Sequence, residues 1–315
     1  MSQVNAPNSS SKSDIINQAP QTALSFPSNT TPEPMPCATP QISIIMPVFR
    51  EQPHILTRTL QSISAQTFTD YELIVVVDNP ANSEAIALIQ DIAARDPRVR
   101  YAINEQNLGV WPSYNRGISL ARGNYLAIQD ADDESLPLRL ETTHAFLVAH
   151  PEIDVVGTAI EYVSESDRST LLTRYYSPEV SREIKRFCPL AHGTTLRKRI
   201  LHERFGGYDE SSAVKHAADY ELWIRWYLQG VRFANLPDVL YKYYQSDVNF
   251  KNLHARRILE DTITIKRRHV KQLNFSLLDH LHLMAERVAA TLPAWAITGL
   301  FYQYNSWRAR RARPS

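Results

Sequence analysis

The chain has 315 residues, of which 43% are apolar and 21% charged, a composition typical of a soluble globular protein with one large domain or two modest ones. Its 34 lysines and arginines nearly balance its 33 aspartates and glutamates, so no overall positive field would hold a nucleic acid across the surface. The only cysteines, Cys37 and Cys188, exclude a disulfide framework and fit a reducing, cytoplasmic setting.

The first segment, residues 1–40, is rich in Ser, Asn, Gln, Thr and Pro and has no sustained periodicity. Such a segment buries too little apolar surface to offset the loss of chain entropy, so we expect a disordered leader. It also lacks the basic region followed by an apolar region that marks a secretory signal.

From residue 42 onward, short apolar runs alternate with helical patterns. The runs predict strands at residues 42–48, 73–77, 99–103 and 125–128. Helical spacing of apolar residues lies between them, around Leu56, Ile89 and Tyr114. Since most of these runs are almost continuously apolar, both faces of the strands should be covered. The pattern predicts an α/β fold with a mostly parallel, Rossmann-like sheet flanked by helices.

Beyond residue 133 the alternation becomes less regular. A helix is predicted at residues 137–149 and a strand at 154–160, followed by mixed segments that reach an aromatic run at 240–244. We therefore expect the folded domain to occupy residues 41–245.

The end of the chain, residues 246–315, is predicted to be a separate helical extension. Two helices are expected between about residues 253 and 292, and a strongly basic tail follows at 307–313. The longest apolar run, residues 289–302, is too short to span a membrane and is interrupted by Pro293.

Polar residues follow all four predicted strands, at the edge where an open parallel sheet binds its ligands. After the fourth strand, Asp130, Asp132 and Asp133 would repel one another unless a cation compensated them, and Mg²⁺ or Mn²⁺ suits such oxygen ligands. The alternative is that Asp132 or Asp133 caps the following helix. Asp78 ends the second strand, where it could bind a base or ribose or simply end the strand in a turn.

Several further motifs stand in a characteristic order. They are IIMPVF at 44–49, Asp78, NLG at 107–109, NRG at 115–117, DADD at 130–133, HGTT at 192–195, GGYDE at 206–210 and DYELWIR at 219–225. Together they resemble family 2 glycosyltransferases of the GT-A fold, over roughly residues 41–245. The resemblance implies a nucleotide-sugar-binding half at 41–140 and an acceptor-side half at 141–245.

The resemblance also implies roles for individual residues on the donor side. Asp130 and Asp132 correspond to the Asp-x-Asp motif that binds the donor and the metal ion, with Asp132 the preferred metal ligand. The expected donor or nucleotide contacts are Pro47, Phe49, Glu51, Asp78, Asn107, Asn115 and Asp130. The family's second strand commonly ends in two aspartates, whereas this chain has Asp78 and Asn79.

On the acceptor side, the resemblance makes Asp219 the general base, although Ala218 replaces the acidic residue that usually precedes it. The alternative for Asp219 is the N-cap of a helix at residues 220–228. His192 could contact a phosphate or the acceptor, or it could be a structural histidine. Gly207 belongs to a permissive turn that would let the backbone approach the acceptor.

The function implied is transfer of a sugar, with inversion, from a nucleotide-diphosphate sugar to a saccharide or a lipid-linked saccharide in cell-surface polysaccharide synthesis. The alternatives are a metal-dependent nucleotidyl or phosphoryl transferase, which lacks support because no phosphate-binding Gly-x-x-x-x-Gly-Lys loop is present, and a non-catalytic sugar-nucleotide-binding protein. The basic, aromatic tail would place the enzyme at the inner face of the membrane if it contacts anionic lipid, and a solvated helix end is the alternative.

Overall fold

The computed structural model describes residues 39–211, 214–245 and 250–312. The predicted disordered leader therefore lies almost entirely outside the described residues, as does Cys37.

The first half of the domain contains the four predicted strands with helices between them. Its elements are β1 (Ile42–Val48), α1 (Pro53–Ser64), β2 (Tyr71–Val77), α2 (Ser83–Arg95), β3 (Val99–Ile103), α3 (Val110–Ser119) and β4 (Tyr125–Ile128). The strands lie in the order β3-β2-β1-β4 and are all parallel, with Ile42 beside both Tyr71 and Tyr125. All of β2 is buried, because helices cover both faces of the sheet.

Local sequence explains where these helices lie. In α1, Pro53 occupies the first turn, and the predicted apolar row that includes Leu56 and Leu60 is buried against the sheet. The side chain of Asn82 caps α2 by accepting the Ala85 N–H at 3.2 Å. Helix α3 packs very closely on the sheet, since a Cβ on Gly117 would lie 2.5 Å from Ile45 Cγ2.

The second half extends the same sheet with mixed strand directions. Its elements are β5 (Glu134–Ser135), α4 (Arg139–Ala149), β6 (Val155–Ser164), β7 (Thr170–Arg174), α5 (Val180–Glu183), β8 (Leu196–Lys198), α6 (Ile200–Phe205), α7 (Ala218–Leu228) and β9 (Phe233–Gln245). Strand β8 is antiparallel to both β4 and β6, whereas β6 and β9 are parallel. The α/β class with a sheet flanked by helices is confirmed, and every antiparallel pairing in the described sheet includes a strand that follows β4.

Over residues 250–312, the part of the helical extension that the structure describes, there are three helices, α8 (Phe250–His269), α9 (Leu277–Ala289) and α10 (Ala294–Ala312). The first two correspond to the predicted pair. The third was not predicted and begins directly after Pro293, which ends one helix and precedes the next. Helix α10 packs against α8 and β7, so the extension lies on the sheet. Within the described ranges, no helix has the length and apolar character needed to cross a membrane.

Candidate active site

The carboxyl ends of β1, β2 and β4 open into a cleft of about 850 Å³, which we call the donor cleft. It collects most of the residues expected to bind the donor, the metal ion or a phosphate. They are Pro47, Phe49, Glu51, Asp78, Asn107, Asp130, Asp132 and His192. The strand-end positions therefore meet as the parallel topology requires.

Asp78 is buried at the end of β2 and holds the loop opposite it. One carboxylate oxygen accepts the Leu108 N–H and the Asn104 side-chain amide at 2.8 and 2.6 Å, and the other accepts the Gly109 N–H at 2.8 Å. Gly109 has a φ of +98°, a conformation that favours glycine. Asp78 thus shapes the wall of the donor cleft that carries Asn107.

Asp130 lies on the floor of the cleft, between tyrosines from two elements. Its Oδ1 accepts the Tyr114 hydroxyl at 2.6 Å, and its backbone N–H donates to the Tyr241 hydroxyl at 3.1 Å. Burial raises the pKa of Asp130, while the Tyr114 hydrogen bond and the nearby Arg139 charge lower it. The Asp130 carboxylate is therefore held in position, but neighbouring groups offset only part of the cost of burying its negative charge.

Asp132 projects into the donor cleft, and its side chain is exposed there. Desolvation within the cleft, followed by the neighbouring carboxylates of Asp130 and Glu51, raises the pKa of Asp132 to about 7. Glu51 also accepts the Phe49 N–H at 2.7 Å, so the loop after β1 turns its carboxylate toward the same site.

Asp133 points away from the cleft and is fully buried. Its Oδ1 accepts the Tyr244 N–H at 2.9 Å, which ties the acidic loop to β9. Helix α4 begins later, at Arg139, with Leu138 in the N-cap position and no side-chain cap. The alternative that Asp132 or Asp133 caps this helix is therefore wrong, because both carboxylates face other groups.

The donor cleft suits a divalent cation that arrives with phosphate. Among the residues that the structure describes, no group of three or more His, Cys, Asp or Glu side chains forms a complete metal site. Mg²⁺ commonly takes only one or two carboxylates and completes its shell with water and substrate phosphates. Asp132 and Asp130 fit this pattern, because desolvation and then the Asp130 charge raise the pKa of Asp132, and a bound cation would stabilise its ionised form.

A second cavity of about 400 Å³ adjoins the donor cleft, and we call it the acceptor-side cavity. Asp130, His192 and Tyr243 line both spaces. The junction is tightly packed, since a Cβ on Gly193 would lie 2.6 Å from the Tyr241 hydroxyl oxygen and 3.0 Å from Asp130 Oδ2. Only glycine fits at this position without displacing its neighbours.

Asp219 lines the acceptor-side cavity and is half-buried. Helix α7 begins one residue earlier, at Ala218, so Asp219 lies in its first turn and the N-cap position falls to Ala217. The Cys188 thiol lies 3.7 Å from Asp219 Oδ2 and donates to it. Burial raises the pKa of both groups, so Asp219 is a stronger base than an exposed aspartate.

His192 is half-buried in an aromatic cluster between the donor cleft and the acceptor-side cavity. Its Nε2 lies 2.6 Å from the Tyr208 hydroxyl oxygen, which also accepts a hydrogen bond from Arg197 at 2.6 Å. Its ring contacts Trp111, Tyr114 and Tyr208 edge-on, at centroid distances of 5.0 to 5.5 Å. Burial, with the Arg197 charge, holds the pKa of His192 well below its usual value, so the ring is neutral.

Asn115 and Gly207 do not line the donor cleft or the acceptor-side cavity. The Asn115 side chain accepts the Tyr208 N–H at 2.9 Å and donates to the Tyr208 carbonyl at 3.0 Å. Gly207 lies directly against it, and a Cβ there would be 2.2 Å from Asn115 Oδ1. In the structure this pair positions Tyr208 against His192, and its direct contacts with substrate stay predictions.

Some residues of the two spaces carried no signal of function in the sequence. Tyr241 and Tyr243 belong to the aromatic run at residues 240–244, to which the sequence pattern assigns no function. Helices α8 and α10 also contribute a wall of the acceptor-side cavity, through residues that include Ile258, Leu259 and Phe301. In the sequence these residues follow ordinary helical spacing, so only the folded structure shows that they line the acceptor-side cavity.

Comparison with known proteins supports this geometry. The sequence model of glycosyl transferase family 2 matches residues 43–207, which is more than half of the chain. The chain belongs to glycosyltransferase family 2. The protein is thus a glycosyltransferase, as predicted.

Two relatives of this glycosyltransferase illustrate the level of sequence similarity. It is 31% identical to an uncharacterized glycosyltransferase of Methanocaldococcus jannaschii over 211 residues, which cover 65% of this chain and 70% of the relative. It is 29% identical to the amylovoran biosynthesis glycosyltransferase AmsE of Erwinia amylovora over 197 residues, covering 61% of this chain and 71% of the relative.

The fold of the glycosyltransferase also resembles solved structures. A mannosyltransferase of Pyrobaculum calidifontis, in complex with GDP-Man and Mn²⁺, superposes with a TM-score of 0.58 at 18% identity, over 89% of this chain and 84% of the other. This likeness confirms the predicted GT-A fold.

Proposed function

We propose that the protein transfers a sugar, with inversion, from a nucleotide-diphosphate sugar to a saccharide or lipid-linked saccharide during cell-surface polysaccharide synthesis. The observation that carries this proposal is that the donor cleft and the acceptor-side cavity meet. An acidic cleft suited to a metal-bound diphosphate meets a cavity containing a candidate base, Asp219, and Asp130 lines both. The polysaccharide named for AmsE and the GDP-Man and Mn²⁺ bound by the mannosyltransferase support the choice of pathway class and donor class.

The geometry suggests how the residues divide the reaction. Asp219 takes the proton from an acceptor hydroxyl as that oxygen attacks the anomeric carbon, where the donor cleft meets the acceptor-side cavity. The leaving diphosphate departs on the opposite face, where Asp132 and Asp130 would hold Mg²⁺ or Mn²⁺. When bound, the cation neutralises charge that develops on the diphosphate. Since the hydroxyl and the diphosphate occupy opposite sides of one carbon, the product has inverted configuration.

Two other activities fit the same residues less well. Membership of family 2 favours glycosyl transfer over nucleotidyl or phosphoryl transfer. A non-catalytic sugar-nucleotide-binding protein would have no need for a half-buried carboxylate, Asp219, in a cavity beside the donor cleft.

A donor screen tests the proposed function. We expect one nucleotide-diphosphate sugar from a panel to release nucleoside diphosphate in the presence of Mn²⁺ and a saccharide acceptor, and not after chelation with EDTA. Proton NMR of the product should show the anomeric configuration opposite to that of the donor. Retention of configuration would exclude inversion, and release of nucleoside monophosphate or inorganic phosphate would favour a phosphoryl or nucleotidyl transferase.

We further propose that the enzyme works at the inner, cytoplasmic face of a membrane, which it contacts through α9. The outer side of this helix carries an apolar row, Leu277, Leu278, Leu281, Met284 and Val288, whose members are 53% to 76% exposed. A row of this size is rare on a surface that faces only water.

Charge on α9 favours an anionic membrane as the partner. The two acids of this helix face inward, where Asp279 accepts from Arg186 at 2.7 Å and Glu286 accepts from Lys266 at 2.5 Å. The outward side keeps His280 and Arg287 beside the apolar row, a combination typical of an interfacial helix. The basic tail first predicted as the anchor lies within residues 307–315, whose side chains are outside the described part of the chain.

Replacing Leu281 with glutamate is expected to weaken binding to phosphatidylglycerol-containing vesicles by roughly tenfold or more, because a leucine side chain contributes about 1.5–3 kcal/mol when buried. Vesicle sedimentation measures this change. Val148→Glu is the matched control, since Val148 is 59% exposed on α4, outside the extension.

The membrane proposal is contradicted if both variants bind vesicles as the wild type does. It is also contradicted if α9 instead joins two copies of the chain, which analytical ultracentrifugation would show as a dimer that Leu281→Glu dissociates.

A further inference from the structure

The acceptor-side cavity contains an arginine that the proposed reaction does not use. Arg174 ends β7, beside Ile160 of β6, and lines the cavity together with Asp219. It is half-buried, and guanidinium groups stay charged at all physiological pH values. A positive charge therefore faces the space where the acceptor would bind.

This charge lacks a carboxylate partner among the residues described. The Arg174 guanidinium carbon lies 4.4 Å from the ring centroid of Tyr176 and 5.5 Å from that of Phe301 on α10. Its side chain also donates a hydrogen bond to the Tyr162 hydroxyl. The other arginine that lines the cavity, Arg186, is paired with Asp279 at 2.7 Å.

Removing a cation from water is costly unless an anion or several acceptors replace the lost hydration. The aromatic faces beside Arg174 attract its charge, but they accept none of its N–H groups. Guanidinium presents five such donors in a planar fork that fits a phosphate or carboxylate with paired hydrogen bonds.

The rest of the cavity suits a sugar. Five tyrosines line it, Tyr162, Tyr176, Tyr220, Tyr241 and Tyr243. Tyr176 and Tyr243 are half-buried, whereas the other three are buried. An open tyrosine ring offers an apolar face for the C–H face of a sugar and a hydroxyl for its polar edge. Asp219 lines the same cavity, so a sugar resting on these rings could present a hydroxyl to the base.

We propose that Arg174 selects an acceptor that carries a negative charge, a phosphate or a carboxylate attached to the sugar whose hydroxyl faces Asp219. This inference rests on the proposed function, because it assigns the acceptor to the cavity of Asp219. The charged group would come from a phosphate linkage at the anomeric carbon, as in a free or lipid-linked sugar phosphate, or from a uronate.

Calorimetry can test the selection without knowledge of the natural acceptor. The full-length enzyme is first saturated with nucleoside diphosphate and Mn²⁺ so that the donor cleft is filled, and it is then titrated with a hexose, the hexose 1-phosphate and the hexuronate. We expect at least one anionic probe to bind tenfold or more tightly than the neutral hexose. Arg174→Met should remove that preference and leave the affinity for the neutral hexose unchanged, and Arg174→Lys should retain part of it. Arg95→Met, on the exposed surface of α2, is the charge-matched control.

Several results would overturn the selection. They are equal binding of charged and neutral probes by the wild type, no binding of any probe, and a uniform loss of affinity for all three probes in Arg174→Met, which would mark a purely structural role. Binding of nucleoside diphosphate and Mn²⁺ in the saturation step tests the proposed function separately. That function requires Mn²⁺-dependent binding of the diphosphate, whether or not Arg174 selects a charged acceptor.

A transfer assay then separates the sources of the charge. The acceptors are a hexose 1-phosphate, a dodecyl-pyrophosphoryl hexose and a methyl hexuronoside, with release of nucleoside diphosphate as the readout. Arg174→Met should raise the KM of each accepted anionic substrate by tenfold or more with little change in kcat. A preference for the dodecyl compound assigns the charge to a lipid linkage, and a preference for the uronoside assigns it to a carboxylate. An equal rise in KM for a neutral hexoside in Arg174→Met would contradict the selection.

Discussion

Asp132→Ala is expected to abolish the metal-dependent binding of nucleoside diphosphate and to reduce glycosyl transfer by roughly 10²–10³-fold or more, the range seen when a group that stabilises developing charge is removed. The structure explains why this carboxylate matters most. Asp130 accepts a hydrogen bond from Tyr114, and Asp133 accepts one from the backbone N–H of Tyr244. Asp132 lines the donor cleft, where the Arg58 side chain donates to its backbone carbonyl oxygen and not to its carboxylate. It is therefore the carboxylate most available to a cation.

Titration calorimetry with a nucleoside diphosphate, with and without Mn²⁺, measures the effect. The matched control is Asp91→Ala, which removes an exposed carboxylate on α2 and should leave the metal effect intact. Because the pKa of Asp132 is raised to about 7, protons compete with the cation below that pH, and the apparent Mn²⁺ affinity of the wild type should fall as pH drops from 7 to 6. Unchanged diphosphate binding in Asp132→Ala would remove this residue from the metal site.

The sequence alone predicted much of the first half of the fold. Strands β1, β2 and β4 are almost continuously apolar because helices bury them on both faces, and this signal does not depend on distant contacts. Because parallel strands end at a common edge, the positions of Asp78 and Asp132 after two of them were enough to place both in one cleft.

The second half depends on contacts that a single sequence does not display. Strands β5 and β8 have two and three residues, too few to establish a period. Asn115 and the backbone of Tyr208 are 93 residues apart, and their mutual hydrogen bonds exist only after the sheet has formed. Arg174 and Phe301 likewise meet only because α10 folds back onto β7.

Asp219→Asn is expected to lower kcat by roughly 10²–10⁴-fold, the usual contribution of a general base. Binding of the donor should not change, because Asp219 lines the acceptor-side cavity and not the donor cleft. Single-turnover transfer and diphosphate titration on the same preparation measure the two effects. Near-normal turnover would exclude Asp219 as the base, and a loss of diphosphate affinity would assign it a role in the donor cleft.

The pH profile gives a sharper test of the same residue. A base acts only when deprotonated, so the rate should rise with pH through the pKa of Asp219, and burial places that pKa above the ordinary aspartate value. Saturating Mn²⁺ keeps Asp132 bound to metal, so the acidic limb that persists reports Asp219. The Cys188 thiol donates to this carboxylate and lowers its pKa, so Cys188→Ala should move the limb to higher pH while Asp219→Asn removes it. If the limb stays in place in both variants, another group must take the proton from the acceptor.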